Sequence, residues 1–230
     1  MINLPFSDRR QAGRLLGAHL AQAKFDLKEN ALVFGLARGG IPVASEVATV
    51  LNLPLDVIIV RKLGAPGQPE LAMGAVAGGR IQIRDEALIA ELNVPANEVE
   101  KIVAKATEEA RWREADYRAN QTPPDLHNLT VIVVDDGLAT GYSMLAAFEY
   151  VNSFRPKRVI AAAPVGTEAA CSRIQNFADT CVCLAKPFDF QAVGRWYEEF
   201  GQVSDDEVCQ ILEQHRRTRP LVLTRRAAAN

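Results

Sequence analysis

The chain has 230 residues, 48% of them hydrophobic and 23% charged. That suits a soluble α/β domain with an appendage or two small domains, and argues against a disordered or fibrous chain. A net charge of −2 gives no bulk argument for a nucleic-acid or membrane partner. No apolar run approaches the roughly 18 residues of a membrane span, and the first residues lack a basic stretch followed by an apolar one, so the expectation is a cytoplasmic protein.

Ser7-Asp8-Arg9-Arg10 reads as a helix start with Ser7 as its cap, because Leu15, Leu16, His19 and Leu20 then recur at helical spacing. His19, set among apolar residues, is expected to be a partly buried core histidine. Ala31–Leu36 is a short apolar run and predicts a buried strand. Ala37-Arg38-Gly39-Gly40 breaks it, and Pro42–Leu51 predicts a helix with proline in its first turn. Leu55–Val60 predicts a second buried strand. Arg61–Gly79 is glycine- and proline-rich and opens as a flexible loop; its later part, Leu71–Ala77 with Arg80–Arg84, fits a hairpin about Gly78-Gly79.

Val94–Ala119 carries a long helical pattern, and Asn120–Asn128 is a polar connector. Thr130–Val134, Val159–Pro164 and Thr180–Leu184 predict three further strands; Tyr142–Phe154 and Thr167–Phe177 predict helices between them. After Lys186-Pro187 comes an aromatic segment with Phe188, Phe190, Trp196, Tyr197 and Phe200, then a capped helix start at Ser204. Past His215 the chain is basic, with Arg216, Arg217, Arg219, Arg225 and Arg226 and no acid, and reads as a solvated end. The four cysteines, Cys171, Cys181, Cys183 and Cys209, lack the spacing of a zinc or redox motif and are expected to be buried reduced thiols. Strands alternating with helices predict a parallel sheet covered on both faces.

One segment carries chemistry: Val131-Ile132-Val133-Val134-Asp135-Asp136-Gly137-Leu138-Ala139-Thr140-Gly141-Tyr142-Ser143. An apolar strand ends in two carboxylates, a small-residue loop follows, and a helix starts directly after it. N–H groups and the dipole at a helix N-terminus favour an anion. Small residues let the backbone approach a phosphate, and Thr140 and Ser143 add hydroxyl donors. Adjacent carboxylates at the strand end suit two neighbouring sugar hydroxyls or Mg²⁺. The same pattern also fits a structural strand–turn–helix or a generic nucleotide site. It is neither a Walker loop nor a dinucleotide fingerprint.

At these residues the sequence resembles the PRPP-binding motif of type I phosphoribosyltransferases, where PRPP is 5-phosphoribosyl 1-pyrophosphate. Gly137 departs from the many members with an aliphatic residue there, and resembles the Asp-Asp-Gly-x-Ala-Thr-Gly form of a bacterial group of predicted phosphoribosyltransferases. The resemblance runs over roughly Phe6–Ser204. Arg38-Gly39-Gly40 resembles the family's pyrophosphate loop, and Arg61-Lys62 the base of its mobile loop. Glu70, further along, is either catalytic or merely solvent-facing. The resemblance implies a doubly wound, mostly parallel five-stranded sheet of order 2-1-3-4-5. In that order the loops at Arg38 and Asp136 face one another across the sheet's switch point.

It also implies one phosphoribosyltransferase domain. Its core spans about 28–185, a small hood subdomain is built from about 1–27 and 186–215, and a basic tail covers 216–230. The implied function in nucleotide metabolism is transfer of ribose 5-phosphate from PRPP to a nitrogenous, base-like acceptor, releasing pyrophosphate. Catalytic roles fall on Arg38, Lys62, Asp135 and Asp136. Substrate binding adds Gly39, Gly40, Arg61, Gly137, Leu138, Ala139, Thr140, Gly141, Tyr142 and Ser143. Mg²⁺ would lie on Asp135 and Asp136, and the assembly would be a homodimer. The hood's Phe188, Phe190, Trp196 and Tyr197 either stack on a planar acceptor or form the hood's own core. Competing readings are a non-catalytic PRPP-responsive regulator that binds RNA through the basic tail, and a phosphohydrolase on a similar sheet.

Overall fold

Burial on both faces is what turns the short apolar runs into strands. In the computed structural model, which describes residues 3–23, 25, 27, 30–119 and 121–220, β1 (Ala31–Ala37) is followed by α2 (Gly40–Leu51), and α1 (Arg9–Gln22) precedes it. Then come β2 (Leu55–Ala65), β3 (Gln68–Ala77), β4 (Ile81–Arg84), α3 (Glu86–Glu91) and α4 (Ala96–Tyr117). The chain continues through β5 (Thr130–Val134), α5 (Tyr142–Asn152), β6 (Arg158–Val165), α6 (Glu168–Gln175), β7 (Thr180–Ala185), a 3₁₀ turn at Val193–Trp196, and α7 (Asp205–Thr218).

The strands form one sheet in the order β4-β3-β2-β1-β5-β6-β7. Its β2-β1-β5-β6-β7 part is parallel, while β3 and β4 are antiparallel. Period-two alternation divides the strand side chains between two cores. Val33, Ile132 and Val134 face α1, α2, α4 and α7. Phe34, Val131 and Val133 face α5 and α6.

The sheet therefore has seven strands where five were expected. The second strand does not stop at Val60: it runs on to Ala65, turns at Pro66-Gly67 and returns as β3. The Arg61–Gly67 stretch is thus the arm of a hairpin instead of an open loop. Its alternation explains this, since Leu63 and Ala65 are buried while Lys62 beside them is exposed. Gly64 sits at an irregularity in the register. Gly78 and Gly79, both at positive φ (+54° and +58°), make the β3–β4 turn as expected.

Three local expectations are corrected. The cap of α1 is Asp8, whose carboxylate accepts the Gln11 N–H at 2.6 Å, while the Ser7 N–H donates to Gln11 Oε1. His19 is exposed, because the buried stripe runs through Ala12, Leu16 and Leu20 and His19 falls beside it. The hood is not a separate subdomain either. Leu16 and Leu20 of α1, with Val208, Ile211 and Leu212 of α7, join the same core as β1 and β2. Only a small satellite around Phe6 and Tyr197 stands apart, joined by a bridge between those two residues.

Ser204 caps α7 as expected, accepting the Glu207 N–H. The helix carries Arg216 and Arg217 into ordered structure, Arg216 donating to the Tyr117 carbonyl. Arg225 and Arg226 lie outside the described residues. All four cysteines are free; Cys171 is buried and the others are half-buried. Among the described residues no helix is long and apolar enough to cross a membrane.

Candidate functional site

A cleft of about 940 Å³ opens above the C-terminal ends of β1, β2 and β5. Three loops reach it. Arg38 and Gly39 come from the loop after β1; Arg61 and Lys62 come from β2; Asp135 to Gly141 and Ser143 come from the stretch after β5. Parallel pairing of β1 with both β2 and β5 places all three at one edge.

The first and third loops are in direct contact. A Cβ on Gly39 would lie 2.2 Å from Asp136 Oδ2, and one on Gly40 would lie 2.7 Å from the Val134 carbonyl. Only glycine permits that approach. The N–H groups of Gly39 and Gly40 have no acceptor among the described residues, and neither do those of Ala139, Thr140 and Gly141. Gly141 stands at φ +85° as the cap of α5, so bare amides gather at that helix's N-terminus. The cleft therefore carries two runs of backbone amides without protein acceptors among the described residues, facing each other. Leu138 is an exception among the expected ligands. Its side chain is buried and its N–H donates to the Val165 carbonyl, so it anchors the loop to β6.

Asp135 and Asp136 sit half-buried at the cleft floor. Burial, and then the neighbouring Asp136 charge, push the Asp135 carboxyl well above the usual carboxylate range. Burial raises Asp136 too, opposed by Arg9. Arg9 Nε donates to Asp136 Oδ2 at 2.8 Å, and the two side chains are only 12% and 14% exposed. Tyr197 fixes the same residue from behind, its hydroxyl donating to the Asp136 carbonyl at 2.6 Å. No third acidic, histidine or cysteine side chain joins the two carboxylates to make a metal cage among the described residues. A divalent cation held here would need oxygens from a ligand, which is how Mg²⁺ is commonly bound.

The arginines of the two basic loops are already paired. Arg38 lies 3.6 Å from Asp205 of α7, and Arg61 donates to Glu109 of α4 at 2.6 Å. Arg113 stands between those two acids, 3.9 Å from Glu109 and 3.8 Å from Asp205. Lys62 is exposed at the rim. Tyr142 turns its hydroxyl away from the cleft to Asp85, and its ring packs under Arg173, which bonds the Thr140 carbonyl. The β4–α3 junction is thereby tied to the phosphate-type loop. The side chain of Glu70 lies outside the described residues.

Three of the four aromatic residues fall on the blander of the two expectations, and Phe188 on neither. Phe190 and Trp196 stack on each other and pack, with Tyr197, in the satellite core; Phe188 is fully exposed. None of the four lines the cleft, whereas Phe200 does. Arg9, Glu109 and Asp205 were not assigned to the site from sequence, and Phe200 was named only within the aromatic segment. Nothing in their local pattern distinguishes them from solvated or core residues; the fold brings Arg9, Glu109 and Phe200 to the cleft and Asp205 beside it through Arg38.

The comparisons with known proteins agree with this architecture. A family model described as the phosphoribosyl transferase domain matches residues 9–198. A Mycobacterium tuberculosis (H37Rv) protein named "Putative phosphoribosyl transferase Rv0571c" is 38% identical over 212 residues, 92% of this chain and 47% of that protein. The chain thus spans about half the length of the curated relatives it matches. The crystal structure of TT1426 from Thermus thermophilus is 39% identical with a TM-score of 0.75, covering 92% of this chain and 99% of that one. Two amide-lined loops meeting over a doubly wound sheet, with these matches, define a class: the chain belongs to the type I phosphoribosyltransferase family.

Proposed function

We propose that the chain transfers ribose 5-phosphate from PRPP to a nitrogenous acceptor and releases pyrophosphate. The observation that carries this reading is the contact of Gly39 with Asp136. It joins two amide-lined loops across one cleft, as suits a ligand with a phosphate at one end and a diphosphate at the other. The Ala139–Ser143 amides and hydroxyls take the 5-phosphate. Asp135 and Asp136 take the ribose hydroxyls. The Gly39 and Gly40 amides, with Arg38, Arg61 and Lys62, take the pyrophosphate.

In the reaction the acceptor nitrogen's lone pair forms the bond to C1. The C1–O bond to pyrophosphate breaks with its electrons on the leaving oxygen, and any proton on that nitrogen passes to solvent. Charge developing on the leaving group is met by preplaced donors. Mg²⁺ fits a donor set of two carboxylates completed by substrate oxygens, and when bound it supplies leaving-group charge neutralisation.

The test is pyrophosphate release from PRPP with Mg²⁺ and a panel of nitrogenous acceptors. Asp135→Asn and Asp136→Asn should each lower turnover at least a hundredfold while the thermal midpoint stays measurable. Variants that keep the wild-type rate would reject the assignment. The same reading makes it a cytoplasmic homodimeric enzyme of nucleotide metabolism, and size-exclusion chromatography checks the assembly. Arg216 and Arg217 are engaged within α7 and with Tyr117, which gives the RNA-binding alternative no added support.

A further inference from the structure

The end of the cleft walled by Arg9 and residues 200–203 is built around a cation instead of an aromatic platform, and on the phosphoribosyl-transfer reading it is the end left for the acceptor. Arg9 enters from the first residue of α1, outside all three family loops. Its guanidinium lies over the Phe200 ring, 3.8 Å from the centroid. Nη1 donates to the Gly201 carbonyl at 2.8 Å, and Nε donates to Asp136. Arginine has five N–H donors, and the remaining three bond to no described residue. The group is thus held in one plane by a ring beneath, a carbonyl at one end and a carboxylate at the other, with donors to spare.

The walls around it are consistent. Val193 presses on the phosphate loop, where a Cβ on Gly137 would lie 2.5 Å from Val193 Cγ1. That closes the floor beside Asp136 with an apolar surface and explains why glycine stands at position 137. Gln202 adds a polar edge to the cleft. Among the described residues the only aromatic ring lining the cleft, that of Phe200, is already covered by Arg9. A planar acceptor here meets the guanidinium face and its N–H edge.

Resting on the phosphoribosyl-transfer reading, we infer that Arg9 determines acceptor specificity and that the acceptor carries a carboxylate. Three observations support the class. A guanidinium fork matches a carboxylate in two parallel hydrogen bonds. An acceptor without an anion leaves the spare donors unmatched once water is excluded. Arg9 also neutralises Asp136 before substrate arrives, and C1 gains positive charge in the transition state. An anionic acceptor on the spare donors stands beside Asp136 and adds negative charge near C1 as that charge develops.

The experiment compares matched acceptor pairs on the full chain with PRPP and Mg²⁺: nicotinate beside nicotinamide, anthranilate beside aniline, and imidazole-4-carboxylate beside imidazole. The readouts are pyrophosphate release and, with pyrophosphate in place of PRPP, the ligand-induced shift in thermal midpoint. At least one carboxylate member should exceed its neutral partner tenfold or more in kcat/KM. In Arg9→Gln that ratio should collapse toward one, and in Arg9→Lys, which keeps the charge but loses the fork, it should be intermediate. The ratio within a pair is internally controlled, so a general loss of activity in a variant does not imitate the result. Neutral members performing as well as their acids, no pair responding in the wild type, or an Arg9→Gln enzyme that keeps the preference would each overturn the inference. PRPP that binds while the preference is absent rejects the acceptor class alone; PRPP that does not bind rejects the transfer reading beneath it.

Discussion

Substituting Gly39 by Ala tests whether the two anion loops really confront each other. The added Cβ would stand 2.2 Å from Asp136 Oδ2 and 2.9 Å from its Cγ, inside the 3.0 Å that real Cβ contacts respect. The carboxylate must therefore retreat by roughly 1 Å. It has little freedom to do so, since Arg9 holds Oδ2 and Tyr197 holds the main chain. A positioning group misplaced by about 1 Å costs on the order of 100-fold in rate, or roughly 2.7 kcal/mol of transition-state stabilisation. Overpacking costs roughly 1–3 kcal/mol of fold stability as well. The assay is kcat/KM for PRPP beside a urea melt. In an Asp136→Ala background the obstruction is gone, so Gly39→Ala should add almost nothing there, a clear failure of additivity. A Gly39→Ala enzyme within twofold of wild type, or one whose loss is the same in both backgrounds, refutes the reasoning.

Four further outcomes are expected. Arg118→Met strands a buried carboxylate, because Asp56 and Arg118 pair at 3.2 Å with side chains 7% and 3% exposed; a loss of about 3–5 kcal/mol in urea unfolding should follow, and the double replacement Asp56→Leu with Arg118→Met should recover much of it. Gly78→Ala places a Cβ 2.2 Å from Tyr150 Cε2 at φ +54°, so backbone strain and overpacking together should cost roughly 2–4 kcal/mol. His215 is held neutral by burial, with Arg219 adding to the effect; its folded pKa lies below the unfolded value, so its stability contribution is complete above about pH 6.5 and is lost as pH falls. A stability–pH profile should decline below that point, and His215→Gln should flatten the decline. Chelation by EDTA should abolish pyrophosphate release, and added Mg²⁺ should restore it; turnover undiminished in EDTA would exclude the metal from the reaction.

What was legible in the sequence was whatever is encoded locally. The parallel strands showed as apolar runs because β1, β2, β5 and β6 are buried on both faces and the edge strand β7 half-buried, and Asp135-Asp136 stood out because charge rarely ends such a run without purpose. Residues that reach the cleft from afar gave no such signal. Arg9 meets a carboxylate 127 positions away, and its neighbours spell only an ordinary amphipathic helix. Glu109 and Asp205 look like solvated helix charges until β2 and the pyrophosphate-type loop are laid beside them. The hairpin arm was misread because Gly64, Pro66 and Gly67 suggest a loop. There, pairing with β3 and burial of Leu63 and Ala65 outweigh local preference. The aromatic segment was ambiguous for the converse reason: composition alone does not say whether a ring faces a ligand or another ring.

The pairing of Arg38 with Asp205 and of Arg61 with Glu109 has a consequence for selectivity. Each pair is about a third exposed and worth under about 1 kcal/mol, so exchanging partners is easy. Yet an incoming anion must displace a carboxylate that is already in place. A lone monoanion swaps one charge for an equal one and gains almost nothing. On the proposed reading a diphosphate, with several charges on one frame, would engage both arginines at once, with Arg113 standing 3.9 and 3.8 Å from the two acids it would displace. The paired arginines would thus favour a multiply charged anion over chloride or acetate.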